Sequence, residues 1–193
     1  MHIGLYFGTF NPIHIGHLII ANHMAEFSDL DEIWLIVTPH NPHKQKSTLL
    51  DDHHRLYMVQ LAVDDYPKLK ASEVEFKLAQ PNYTVHTLSH LTDKYPQHQF
   101  SLIMGEDNLY SLHKWKNYEQ ILANHAIYIY PRIFNKHTET IKIESENIFK
   151  IDAPIIELSS TAIRAGIKAN KNMRPMMPEK VWQYVEHNLF YKK

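Results

Sequence analysis

The feature that most limits how this chain can fold is a pair of unbroken apolar runs, residues 3–7 (IGLYF) and 33–37 (IWLIV). Neither alternates polar with apolar residues, so each needs cover on both faces, the condition of a strand inside a parallel sheet. Between them Leu18, Ile19, Ala21, Asn22 and Ala25 recur at helical spacing over residues 15–27. Residues 2–38 therefore have the length and pattern of one β-α-β unit.

The same grammar continues. Residues 99–104 (QFSLIM) and 125–130 (HAIYIY) read as further buried strands, and 71–78 (ASEVEFKL) alternates as an edge strand would. Helices are expected over 51–65, with Leu56, Val59, Gln60 and Val63 on one face, over 83–95, 113–123, 159–169 and 178–188. Residues 140–149 are weakly patterned, and 155–158 form the last short apolar run. With no internal repeat, low-complexity tract or linker, the 193 residues are expected to form a single domain, 1–193. A chain of this length can bury roughly 70% of its unfolded surface without disulfides.

Composition removes several classes of function. There are no cysteines, so thiolate catalysis and Cys-ligated metal centres are excluded. The formal net charge is -1 with the 15 histidines counted as neutral, and no basic run suits a nucleic acid. The first strand begins at once, with no leader and no membrane-length apolar segment, so the expectation is a soluble cytoplasmic protein without a membrane partner. Nothing in the sequence fixes an oligomeric state, and a homo-oligomer is compatible with it. The histidine pairs His53 and His54, His86 and His90, and His40 and His43 could each give a metal two ligands, but spacing supplies no third.

Chemistry concentrates in Gly8-Thr9-Phe10-Asn11-Pro12-Ile13-His14-Ile15-Gly16-His17. Gly8 frees the backbone to turn, Thr9, Asn11 and Pro12 are turn residues, and Gly16 lets a ligand approach the main chain. His14 and His17, three apart, share a face at a helix opening, where free N–H groups and the helix dipole already favour an anion. A second such place is Glu157-Leu-Ser-Ser-Thr-Ala-Ile-Arg164, read as a strand end followed by helix-capping hydroxyls and an arginine one turn on. The guanidinium fork of Arg164 suits phosphate oxygens. Ordinary surface histidines and simple helix capping are the plain alternatives; two phosphate-ready helix openings in one α/β chain favour a shared triphosphate.

The first stretch resembles the GTFDPxHxGH signature of the nucleotidyltransferase superfamily, with Asn11 where that pattern has Asp. The second resembles its ISSTxIR element, with Leu158 for Ile. Within the superfamily, Pro39 to Lys44 is similar to the PNxxPHK segment of bacterial nicotinate mononucleotide adenylyltransferases. Asn82-Tyr83-Thr84 with Thr87-Leu88 is similar to their SYTxxTL, and Gly105-Glu106-Asp107-Asn108 with Leu112 and Trp115 to their GxDxxxxLxxW. The resemblance spans residues 3–165. It implies a Rossmann-like α/β fold, an open parallel sheet with helices on both faces.

It also implies adenylyl transfer from ATP to nicotinate mononucleotide, with Mg²⁺ carried on the ATP. His14, His17 and Arg164 would be catalytic. Gly8, Thr9, Phe10, Gly16, Lys44, Ser159, Ser160 and Thr161 would complete the ATP site, and Thr84, Gly105, Asp107, Tyr110 and Trp115 the mononucleotide site. Residues 39–50, which carry Lys44, are expected to order over the phosphates when ATP binds. Two other acceptors, nicotinamide mononucleotide and phosphopantetheine, stay open at this stage. So do a non-catalytic nucleotide-binding regulator and a histidine-dependent metallohydrolase.

Overall fold

The doubly buried runs become the middle of one six-stranded sheet. The computed structural model describes residues 1–39, 49–133 and 143–192. In it β1 (His2–Gly8), β2 (Glu32–Val37), β3 (Leu69–Ser72), β4 (Gln99–Gly105), β5 (Ile127–Tyr130) and β6 (Ile148–Lys150) lie in the order β3-β2-β1-β4-β5-β6. Every neighbouring pair is parallel, with Tyr6 level with Leu35 on one side and Ile103 on the other.

Side chains alternate across the sheet and so build two cores. Tyr6, Leu35, Ile103 and Tyr128 meet α1 (Ile15–Phe27), α2 (Asp52–Val63), α6 (Ser160–Lys168) and α7 (Glu179–His187). Leu5, Ile36, Leu102 and Ile129 meet α3 (Thr84–Lys94), α4 (Glu106–Leu109) and α5 (Tyr118–Asn124) on the opposite face. The architecture is therefore the open α/β sheet covered on both sides that the sequence pattern implied. Among the described residues, no helix is long and apolar enough to cross a membrane.

Several local readings need correction. The edge strand stops at Ser72, and Val74–Lys77 is a 3₁₀ turn because Glu75 is turned inward, its carboxylate accepting from the Thr87 hydroxyl at 2.8 Å. The expected helix over 113–123 is split: Leu112–Lys114 is a 3₁₀ turn, and Asn117, in the left-handed region at φ 51, separates it from α5. Residues 155–158 form no strand. Ile155 is exposed, while Ile156 and Leu158 rest on the first core. On α1 the buried face is Leu18, Ile20, Ala21, Met24 and Ala25, with Ile19 and Asn22 outside. On α2 Gln60 is exposed and Arg55 takes the buried face.

Arg55 is fully buried, and its guanidinium holds backbone. Nη1 donates to the carbonyls of Thr9 at 2.6 Å and Thr38 at 3.0 Å, Nε donates to that of Leu50 at 2.9 Å, and Nη2 pairs with Asp52. One cation thus ties the end of β2, residue 50 and the turn after β1 together.

Candidate active site

At the carboxyl ends of β1 and β4, where helices leave toward opposite faces, an α/β sheet opens a crevice. Here it is a cleft of about 1040 Å³. The turn after β1 lines it, but the glycines act otherwise than expected. No glycine has a positive φ; the left-handed residue is Phe10, at φ 44, and a Cβ on Gly8 would come within 2.9 Å of the Phe10 ring. Gly16 gives its space to protein, since a Cβ there would meet Ile156 at 2.8 Å and the His14 ring at 3.1 Å.

His14 is the N-cap of α1 and His17 its third residue. The rings stack at 3.7 Å between centroids, and the His14 backbone N–H donates to His17 Nδ1 at 3.3 Å. An accepting Nδ1 places the His17 proton on Nε2. The Phe10 ring, 2% exposed, lies edge-on to His17 at 5.1 Å, and Tyr6 does the same at 6.1 Å. Phe10 thus supports the site from beneath. His14 is 4% exposed and its Nδ1 has no hydrogen-bond partner. Burial, aided by the positive charge of Arg132, lowers its pKa to about 4, so it is neutral at pH 7.

The second phosphate-ready helix meets the first here. Ser159 Oγ caps α6 by accepting from the Ala162 N–H at 3.2 Å, and Ser160 Oγ donates to the Pro12 carbonyl at 2.9 Å. The Ser160 proton is therefore spent on protein, whereas Ser159 accepts and keeps its own proton, and α6 adds the first-turn backbone N–H of Ser160 and Thr161 for an anion. Arg164 Nη1 donates to the Asn11 carbonyl at 2.7 Å and Nη2 to Thr161 Oγ1 at 3.3 Å. Gly8, Thr9, Phe10, His14, Gly16, His17, Ser159, Ser160, Thr161 and Arg164 all line one cleft. Lys44, and most of the 39–50 loop with it, lies outside the described residues.

Toward the other end, α3 opens at Thr84 behind Tyr83, whose side chain makes no capping bond. Of the first-turn N–H groups of α3, that of His86 donates to the Tyr83 carbonyl at 2.9 Å, and those of Thr84 and Val85 remain to face a ligand. Trp115 is partly buried against the second core and lines the cleft with Thr84, Gly105 and Asp107. Tyr110 is not brought to the lining. It ends the short α4 with its backbone N–H turned to the Asn108 carbonyl and its hydroxyl 3.4 Å from Glu106 Oε1.

Sequence reasoning missed Arg132. It lies two residues past β5, at the edge where ligands bind, and pairs with Asp107 Oδ2 at 3.4 Å while Asp107 Oδ1 is buried without a partner. The signal was an arginine after a buried strand. Lys116, also unnoticed, sits 4.5 Å over the Tyr83 ring beside the α3 opening. Of the histidine pairs, His53 packs on Phe76 and His54 Nδ1 is 2.7 Å from the Tyr184 hydroxyl, His86 and His90 are exposed, and His40 and His43 lie outside the described residues. No group of three metal-ligating side chains occurs among the described residues.

A family model described as cytidylyltransferase-like matches residues 5–166. A probable nicotinate-nucleotide adenylyltransferase of Flavobacterium psychrophilum is 66% identical over the whole of both chains, and one from Bacteroides fragilis is 42% identical over 94% of this chain and 90% of its own. In fold, the chain is similar to Plasmodium falciparum nicotinic acid mononucleotide adenylyltransferase complexed with NaAD, with a TM-score of 0.79 over 99% of this chain and 97% of that one at 18% identity. The chain thus belongs to the cytidylyltransferase-like family, in its nicotinate-nucleotide adenylyltransferase branch.

Proposed function

We propose that the protein transfers the adenylyl group of ATP to nicotinate mononucleotide. An oxygen of the acceptor phosphate attacks the α-phosphorus, the bond to the β-phosphate breaks, and pyrophosphate leaves with that electron pair. The observation that carries this reading is the meeting of two helix openings, α1 with His14 and His17 and α6 beside Arg164, in a cleft large enough for both reactants.

The acceptor monoester has a second pKa near 6 and is mostly dianionic at pH 7, so no general base is needed. The protein's work is positioning and charge neutralisation. His17 Nε2–H and His14 donate to oxygens around the α-phosphate, and Arg164 with the N–H groups of α6 holds the departing phosphates. Arg132, 43% exposed at its side chain, can turn from Asp107 to a phosphate. Glu75 and Asp107, the carboxylates lining the described cleft, each have a buried oxygen without a partner, but burial raises the pKa of Glu75, so Asp107 is the one that fits a Mg²⁺ arriving on the phosphates. When bound, the ion offsets phosphate charge. ATP as substrate and a cysteine-free chain suit a cytoplasmic enzyme.

Trp115 stacks on the pyridine ring, and the Thr84 and Val85 N–H groups that open α3 receive its carboxylate, as a helix start favours. The amide would set NH₂ against those donors, and an unpaired buried donor costs about 1–3 kcal/mol. The acid is therefore expected to exceed nicotinamide mononucleotide in kcat/KM by at least roughly tenfold, and Trp115→Ala to weaken both with their ratio little changed. Pyrophosphate release from ATP, measured with each mononucleotide and with neither, tests both statements. Equal rates with acid and amide would remove this reading of the pocket; no acceptor-dependent release would remove the reaction itself.

A further inference from the structure

Beneath the phosphate turn, Asn11 joins segments far apart in sequence. Its side chain is buried, and Oδ1 accepts from the Leu50 backbone N–H at 3.2 Å and from the Tyr191 hydroxyl at 2.9 Å. Two donors on the same oxygen fix which way the amide points. The main-chain carbonyl of the same residue receives Arg164 Nη1 at 2.7 Å. Whatever holds the Asn11 side chain also holds the carbonyl that aims Arg164.

Tyr191 lies beyond α7, in the left-handed region at φ 64, a conformation a bulky residue adopts only under constraint. Its ring packs on the first core beside Phe190, with a centroid separation of 6.3 Å. Its phenol is pushed above the ordinary range by burial, with Arg164 and Arg55 close enough to oppose the shift. A residue that only anchored the segment would need the ring and no hydroxyl on a signature-loop side chain.

We propose that Tyr191 is a positioning residue for the triphosphate site, acting through Asn11 to set the carbonyl against which Arg164 is aimed. This makes the segment after α7 part of the support of the active site, and it rests on the phosphate role of Arg164 given above. Without the hydroxyl, Asn11 keeps a single donor at Oδ1 from this pair, and the Arg164 fork loses its fixed backing.

Tyr191→Phe keeps the ring and removes the hydrogen bond. It is expected to lower kcat/KM for ATP by about three- to tenfold, the effect of one neutral hydrogen bond, with KM for nicotinate mononucleotide unchanged and the fold intact by circular dichroism. Calorimetric affinity for ATP should fall by a similar factor. Tyr184→Phe, which removes the α7 hydroxyl bonded to His54, is expected to leave the ATP constants as they are. On an Asn11→Ala background, Tyr191→Phe should add no further loss. Unchanged ATP constants in folded Tyr191→Phe overturn the proposal, as does an equal loss in both tyrosine variants or full additivity with Asn11→Ala. If the wild type binds ATP but transfers nothing, the proposed reaction fails and the calorimetric comparison still decides the role of Tyr191. If it does not bind ATP, both fall.

Discussion

His17→Ala is expected to lower kcat by about 10²–10³-fold, the loss that follows removal of one preorganised donor at a developing charge, or about 2.7–4 kcal/mol. The size of the effect follows from how firmly the ring is held. His14 stacks on it, Phe10 and Tyr6 meet its edge, and a backbone N–H occupies Nδ1. Little reorganisation is left for the moment of reaction, so almost all of the donor's value is realised in the transition state. His14→Ala is expected to cost a similar factor. Steady-state rates of pyrophosphate release, with circular dichroism to verify folding, provide the measurement. A folded variant with near-wild-type kcat would remove that histidine from the chemistry.

The second large effect is on stability in acid. In the folded protein His14 takes up a proton only near pH 4, whereas its ordinary value is 6.5. Between those values the unfolded chain is the form that binds the proton, so falling pH favours unfolding. The stability owed to a neutral His14 is whole above about pH 6.5 and is lost as pH falls through about 4. Its full size is about 3 kcal/mol, at roughly 1.4 kcal/mol per pKa unit. Urea unfolding at pH 7 and pH 4.5 should therefore show the wild type losing about 2–3 kcal/mol more than His14→Asn over that interval. Equal losses in the two proteins would mean that the imidazole titrates normally.

The legible parts of the fold were those whose burial is written in the local pattern. β1, β2, β4 and β5 are covered on both faces, so the buried parts of their sequences are apolar almost throughout, Ser101 of β4 being the interruption. What misled the reading was tertiary. Glu75 looks like the polar partner in an alternating strand, yet Thr87 and Asn82 draw the segment into a turn, the Asn82 amide donating to its carbonyl at 2.8 Å. The apolar run at 155–158 follows Pro154 and serves as lining rather than strand. In the site, His14, His17 and Arg164 were visible because a helix opening has a local signature. Arg55, Arg132 and Tyr191 were not, since the partners that tie them to the site, Thr9, Asp107 and Asn11, lie 46, 25 and 180 residues away and a side chain bound to remote groups leaves no spacing to read. Of the two serines read as caps, Ser159 caps α6, while the bond from Ser160 to the Pro12 carbonyl arises only in the folded chain.

The order β3-β2-β1-β4-β5-β6 has a consequence for how such a catalyst can diversify. On the proposed roles, the parts that grip the adenylate follow β1 and open α6, whereas the parts that meet the acceptor follow β3 and β4. The two sets occupy separate stretches of polypeptide that come together in one cleft at the strand ends. Residues 73–84 and 108–116 can therefore be rewritten to suit a different phosphorylated acceptor while residues 8–17, Asp107 and residues 159–164 are left as they are, so a change of acceptor need not cost the nucleotide half its catalytic geometry.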